Sequence, residues 1–324
     1  MRAERTAATG LGLALLSAAT FGTSGIFARS LIEAGWSADA AVAARISIAA
    51  LVLAVPALLA LRGRWHVARR AAGTVGLFGL LAVAGAQVGF FNAVRYLPVG
   101  VALLIEYSGI VLVVLWMWAV HGQRPRRLTI AGAVTALFGL VLVLNLTGAG
   151  RIDRLGVVWG LAAAVGLAAY FVLSARIDAE LPSVSLAAGG MAVGAVLLFA
   201  LGAVGAMPME ATFRDVDFAG MRTSWIVPVI GLSLVAAVIS YVAGIGGARA
   251  LGAAVSSFVG LTEVMFAVLF AWIALGELPS AIQAAGGALI VAGIVLVRLD
   301  ALRRSPDPAA PERAADEPEL AASR

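Results

Sequence analysis

The stretch Arg95–Pro125, RYLPVGVALLIEYSGIVLVVLWMWAVHGQRP, has a second copy at Arg249–Pro279, RALGAAVSSFVGLTEVMFAVLFAWIALGELP. A shift of 154 positions carries the match on without a gap to Asn145 and Leu299. In that one register Arg95 meets Arg249, Leu97 meets Leu251, Trp118 meets Trp272 and Pro125 meets Pro279, while Gly122, Gly132 and Gly139 meet Gly276, Gly286 and Gly293. Chance readily supplies Ala, Val and Leu matches in apolar sequence; it rarely supplies Trp, Pro and Arg together. The copies differ most informatively in charge. Arg124, Arg126 and Arg127 follow the first apolar run, and Leu278, Ser280 and Ala281 stand in their places in the second. Arginine collects in the cytoplasmic loops of membrane proteins, so the two copies face opposite ways. An odd number of spans per copy produces that inversion.

Composition agrees with a membrane protein. Of 324 residues, 62% are hydrophobic and 13% charged, with a mean hydropathy of +1.00. Soluble domains carry about 25% charged residues, so this chain lacks the polar surface to coat a globule in water. It has no cysteine, which excludes a disulfide scaffold. A pI near 10.6 raises nucleic-acid binding, but the arginines sort by side of the membrane instead.

A bilayer core of about 30 Å needs ~20 apolar residues per helix. Ten segments meet that need: 8–29, 38–61, 71–93, 98–120, 128–147, 155–175, 183–206, 224–246, 250–275 and 280–299. The fold class is an all-α integral membrane protein of ten transmembrane helices in an inverted 5+5 repeat. The first repeat is expected over 8–147 and the second over 155–300, with a disordered cytoplasmic tail over 301–324. The opening Met1–Arg5 before an apolar run is read as the start of an uncleaved first helix rather than a signal peptide. The long connection Met207–Ser224, with Glu210, Arg214, Asp215, Asp217 and Arg222, is expected in water. With both termini cytoplasmic, the inner loops hold Arg62, Arg64, Arg69, Arg70, Arg124, Arg126, Arg127, Arg176 and Arg249. The outer side then holds only Arg29, Arg95, Arg151, Arg154, Arg214 and Arg222.

Charges inside spans cost about 2.5–3.5 kcal/mol on insertion scales and belong beside a cavity or a partner. Three stand out: Arg45, Glu106 and Glu263. Pro98, Ala102, Glu106 and Gly109 share one helical face, and their repeat partners are Gly252, Ser256, Gly260 and Glu263. The two carboxylates therefore sit on equivalent faces, displaced by about one turn. A carboxyl balanced between desolvation, which favours its neutral form, and a guanidinium, which favours the anion, loads and releases protons near neutral pH. Glu106 and Glu263 are accordingly the candidate proton-coupling residues. Glu106, Tyr107, Asn92, Arg45 and Tyr170 are the candidate substrate contacts, with Gln87, Ser174, Ser240 and Tyr241 as further polar groups. The competing reading is static: an ion pair of either Glu with Arg45, and hydrogen bonds between helices worth about 0.6 kcal/mol each.

An enzyme reading finds little support. Gly22-Thr23-Ser24-Gly25 has the form of an intramembrane serine-protease motif, but His66 and His121 both fall in arginine-rich loops, so no base reaches Ser24. Phosphate-loop, dinucleotide and zinc-protease motifs are missing from the sequence, and no cofactor or metal is expected.

Both halves resemble the EamA repeat of the drug/metabolite transporter superfamily. The resemblance rests on the first span ending Phe21-Gly22-Thr23-Ser24-Gly25-Ile26-Phe27-Ala28-Arg29. It rests also on Thr262-Glu263-Val264, Trp272, Gly276-Glu277-Leu278, Gln283, Gly286 and Gly293, and it covers roughly residues 8–300. Val264 departs from the Pro that often follows this Glu in the family. Glu106-Tyr107-Ser108-Gly109 is similar to a stretch of bacterial threonine/homoserine exporters, with Ile110 in place of their usual Pro. The resemblance implies alternating access at a site between the halves, with amino-acid-like solutes moved out of a bacterial inner membrane in exchange for protons. The expected partners are a small-molecule solute, the lipid bilayer and a proton or counter-solute, in a monomer or homodimer with no nucleic acid. An exchanger or importer of sugar- or nucleotide-type solutes remains open, as does a non-transporting scaffold or sensor.

Overall fold

The computed structural model describes residues 2–146, 153–176 and 180–303. The expected disordered tail lies outside these from residue 304 onward, as do Arg151 and Arg304. Among the described residues ten apolar helices build the molecule: α1 (Thr6–Glu33), α2 (Ala38–Ala60), α3 (Trp65–Ala93), α4 (Val99–His121), α5 (Arg127–Val143), α6 (Arg154–Arg176), α7 (Ser183–Ala203), α8 (Ile226–Leu251), α9 (Ala253–Ala274) and α10 (Ala281–Leu302). Nine are long and apolar enough to cross a bilayer, and α5 is shorter. Its 17 residues span about 26 Å at 1.5 Å per residue. It stops before 147 because Asn145 turns into the left-handed region at φ 45°. Conversely, α3 starts six residues before the expected 71, since Trp65 to Arg70 continue the helix past the apolar run. Side-chain caps start α2, where Ser37 accepts from the Ala40 N–H at 3.2 Å, and α10, where Ser280 and Gln283 form a reciprocal capping box.

The packing carries the inversion. Helix α1 packs on α8 and α9, and α6 packs in the same way on α3 and α4. The remaining helices pair with their own counterparts, α2 with α7 and α5 with α10. At the α5–α10 crossing, a Cβ on Gly132 would lie 2.7 Å from the Gly293 carbonyl oxygen, and one on Gly286 would lie 2.6 Å from that of Gly139. Gly132 and Gly286 are repeat partners, as are Gly139 and Gly293, so one contact is the two-fold image of the other. Small residues are what let membrane helices approach this closely. The arginine pair obeys the same operator. Arg95 reaches from the end of α3 to Asp39 at the start of α2 (3.5 Å), and Arg249 reaches from the end of α8 to the Leu181 carbonyl just before α7 (2.6 Å).

Two helices carry π-helical segments, Phe78–Gly85 in α3 and Leu234–Ile239 in α8. At the repeat shift of 154 the second falls on residues 80–85, inside the first. Helices α4 and α9 break as well, after Tyr107 and after Gly260, one residue apart in the repeat register. The repeat partners Ser108 and Thr262 each donate their hydroxyl to the carbonyl three residues back, on Ile105 (2.5 Å) and Val259 (2.7 Å). Such back-bonding competes with the helical ladder and bends it.

The connection 207–224 is more than a solvated loop. Val216–Phe218 and Met221–Thr223 pair as an antiparallel hairpin, β1 and β2. Phe218 stacks on Phe27 of α1 with ring centroids 5.3 Å apart, and Val216 is buried. The Trp36 indole N–H donates to the Thr212 carbonyl at 2.6 Å, and the Thr212 hydroxyl donates to the Ala34 carbonyl at 2.6 Å. Its charges face water as expected, while its aromatic residues pin it over the α1–α2 turn. Position in sequence alone could not show that pinning.

Candidate functional site

A cavity of about 400 Å³ lies between the two halves. Its walls come from α1, α2, α3, α4, α6, α8 and α9; the glycine-packed pair α5 and α10 contributes nothing. Lining runs from Ile32 and Ala38, at the end of the bundle that carries Glu277, down to Ala14, Tyr170 and Gly244 near mid-depth. None of the lining residues comes from the end that carries His121. The cavity thus opens toward the Glu277 end. At its rim Arg29 bonds Glu33 and Glu277, both at 2.8 Å, linking α1 to the α9–α10 turn. All three side chains are exposed, so the pairing adds little stability.

Five of the six expected residues meet here. Glu106 and Tyr107 enter from the last turn before the α4 break, and Glu263 enters from the first turn after the α9 break. Arg45 projects from α2 and Tyr170 from α6. Arg45, Tyr107 and Tyr170 are almost wholly buried, at 6%, 7% and 7% exposure, and the two Glu side chains are partly exposed as cavity walls. Tyr107 and Glu263 line the cavity together. Among the described residues no nitrogen of Arg45 lies within 4 Å of an oxygen of Glu106 or Glu263, and the Arg45 Nε is buried without a partner. The three charges share one cavity without closing into a static ion pair.

Asn92 is the exception. It does not line the cavity: its amide donates to the Val88 carbonyl at 2.8 Å and its oxygen accepts from Arg95 at 3.3 Å. The neighbouring polar residue Gln87 lines the cavity in its place, and so does Tyr241, its repeat partner at the shift of 154. Sequence reading also passed over the aromatic wall of Phe21, Phe90, Phe91 and Phe171. One signal was available: Phe90 falls on Gly244 in the repeat register, and both line the cavity. Buried charges outside the site were missed as well. Asp39 is 4% exposed beside Arg95, and Asp300 is 1% exposed and accepts from the Thr129 hydroxyl at 2.7 Å. Both sit in the terminal turns of their helices, where the residue count does not separate a buried group from a solvated one.

The sequence matches the EamA-like transporter family twice, over residues 8–145 and 154–299. This chain belongs to the EamA-like transporter family. No curated protein matches it. Among solved structures it is similar to a chain described as "Crystal structure of protein", with 22% identity and a TM-score of 0.73, covering 91% of this chain and 98% of that one. At that identity the likeness speaks for the fold. As an EamA-like chain it is a multi-pass membrane protein of a transporter family, and the cavity where its two repeats meet is the candidate solute site.

Proposed function

We propose that this protein is a secondary transporter that exports small amino-acid-like solutes across a bacterial inner membrane by alternating access, in exchange for protons. The reading rests on one observation: Glu106 and Glu263, one from each repeat, line the same cavity as Arg45 without an ion pair between them. An ammonium group suits the carboxylates and a carboxylate suits the guanidinium, while the phenylalanine walls accept an apolar side chain. A carboxylate can hold a proton or the solute's ammonium, and loading one releases the other. That competition couples the two flows without a further part. Arginine placement supports cytoplasmic termini; in that orientation the cavity opens to the outside and takes up protons there once the solute has left.

The test is transport by purified protein in proteoliposomes, scored as counterflow of labelled amino acids and as efflux driven by a pH gradient. Glu106→Gln and Glu263→Gln are expected to abolish the response to the gradient. If both variants respond like the unsubstituted protein, proton coupling at this pair is wrong.

A further inference from the structure

The open cavity has an inverted counterpart that is filled in this structure. Helices α2 and α7 begin at the equivalent caps Ser37 and Pro182, a shift of 145. In that register their burial runs in parallel: residues 40–43, 45, 46 and 49 are buried in α2, and 185–188, 190, 191 and 194 are buried in α7. Arg45, a cavity wall, therefore corresponds to Gly190. At the shift of 154 shared by α3 and α8, the cavity-lining Leu232 corresponds to Phe78. Arg45 of the first repeat and Leu232 of the second flank open space at one end of the molecule. Their images, Gly190 of the second repeat and Phe78 of the first, are in contact, because the Phe78 ring lies against Gly190 where any Cβ would stand. Phe78 is fully buried, and its ring centroid is 5.9 Å from that of Tyr170, which lines the cavity.

Ser174, one turn from Tyr170 on α6, holds a buried hydroxyl with no hydrogen-bond partner. Ser174 is 0% exposed. Unpartnered buried hydroxyls cost free energy that water would relieve, so they favour any arrangement that wets this face of α6.

We infer that Phe78, seated on Gly190, plugs a second vestibule, the inverted image of the open cavity, which runs from Tyr170 past Ser174 to the cytoplasmic side. The inference rests on the proposed alternating access and on its orientation. It assigns Phe78 and Gly190 a gating role that contacts with the solute do not require.

The absence of native cysteine makes the test direct. Ser174→Cys is probed with a membrane-impermeant maleimide in inside-out and right-side-out vesicles, alone and combined with Phe78→Ala or Gly190→Ala. Removing the ring, or pushing it off Gly190, is expected to speed modification from the cytoplasmic side by about tenfold or more, as a population shift of that size requires. Modification from the outer side should not change. Two plug variants guard against one failing to fold, which thermal unfolding of each would show. Equal, background-level modification in folded protein with and without either plug substitution overturns the inference. Counterflow of labelled amino acids in the same vesicles keeps the two readings apart. Counterflow with an unreactive Ser174→Cys thiol in every background overturns the plug and leaves transport standing. Plug-dependent modification without counterflow supports the plug and overturns the solute reading.

Discussion

At the scale of the residue, the cavity divides its labour among a few side chains. Tyr107 and Glu263 line the same cavity, and in the proposed transporter a bond from the Tyr107 hydroxyl would hold that carboxylate. Hydrogen bonds to charged groups contribute about 1.5–3 kcal/mol. Tyr107→Phe is therefore expected to lower gradient-driven efflux about tenfold and to leave the melting temperature nearly unchanged, which paired flux and unfolding measurements check. Under the proposed function Arg45 pairs with the solute's carboxylate. Arg45→Gln should weaken counterflow of an amino acid about tenfold relative to that of its decarboxylated amine; equal losses for both would assign Arg45 to packing. The carboxylates and Arg45 were legible in the sequence because a charge inside an apolar run is costly enough to be retained only beside a partner or a cavity. Asn92 shows the limit of that argument. A neutral amide satisfies itself locally with the Val88 carbonyl, and composition does not reveal which way it turns.

At the scale of the element, the α5–α10 pair and the α4 and α9 breaks have different roles. The glycine crossing has no slack, since any Cβ at Gly139 would meet the Gly286 carbonyl oxygen at 2.6 Å. Gly139→Ala and Gly286→Ala are each expected to destabilise the protein by about 1–3 kcal/mol through overpacking. Because the two glycines share one contact, the double variant should cost less than the sum. Thermal unfolding of purified protein reads both effects. The breaks position the site. Glu106 and Glu263 flank them, and the hydroxyls of Ser108 and Thr262 hold the same bond in each half. The glycines were legible as a repeated pattern. The π-helical segments of α3 and α8 were not, because they arise where helices adjust to neighbours and leave no periodicity of their own.

At the scale of the whole molecule, the inverted repeat explains why one end is open and the other closed. A single operator relates α1 to α6, the Arg95–Asp39 contact to the Arg249–Leu181 bond, and the open cavity to the filled region around Phe78. Its orientation in the membrane is testable in the same cysteine-free background. Arg126→Cys is expected to react with an impermeant maleimide only from the cytoplasmic side, and Ser280→Cys, at its repeat partner, only from outside; the reverse pattern would invert the topology. The sequence by itself determined the membrane class, the ten spans, the duplication and the rare charges, since each follows from the cost of placing polar groups in hydrocarbon and is paid residue by residue along the chain. Only the tertiary structure decided which of those groups share a cavity, that Arg45 stands apart from both carboxylates, that a hairpin caps the α1–α2 turn, and which end is open. Those outcomes depend on how helices distant in sequence cross, and crossing geometry is set by side chains meeting across an interface rather than by any run of neighbours along the chain.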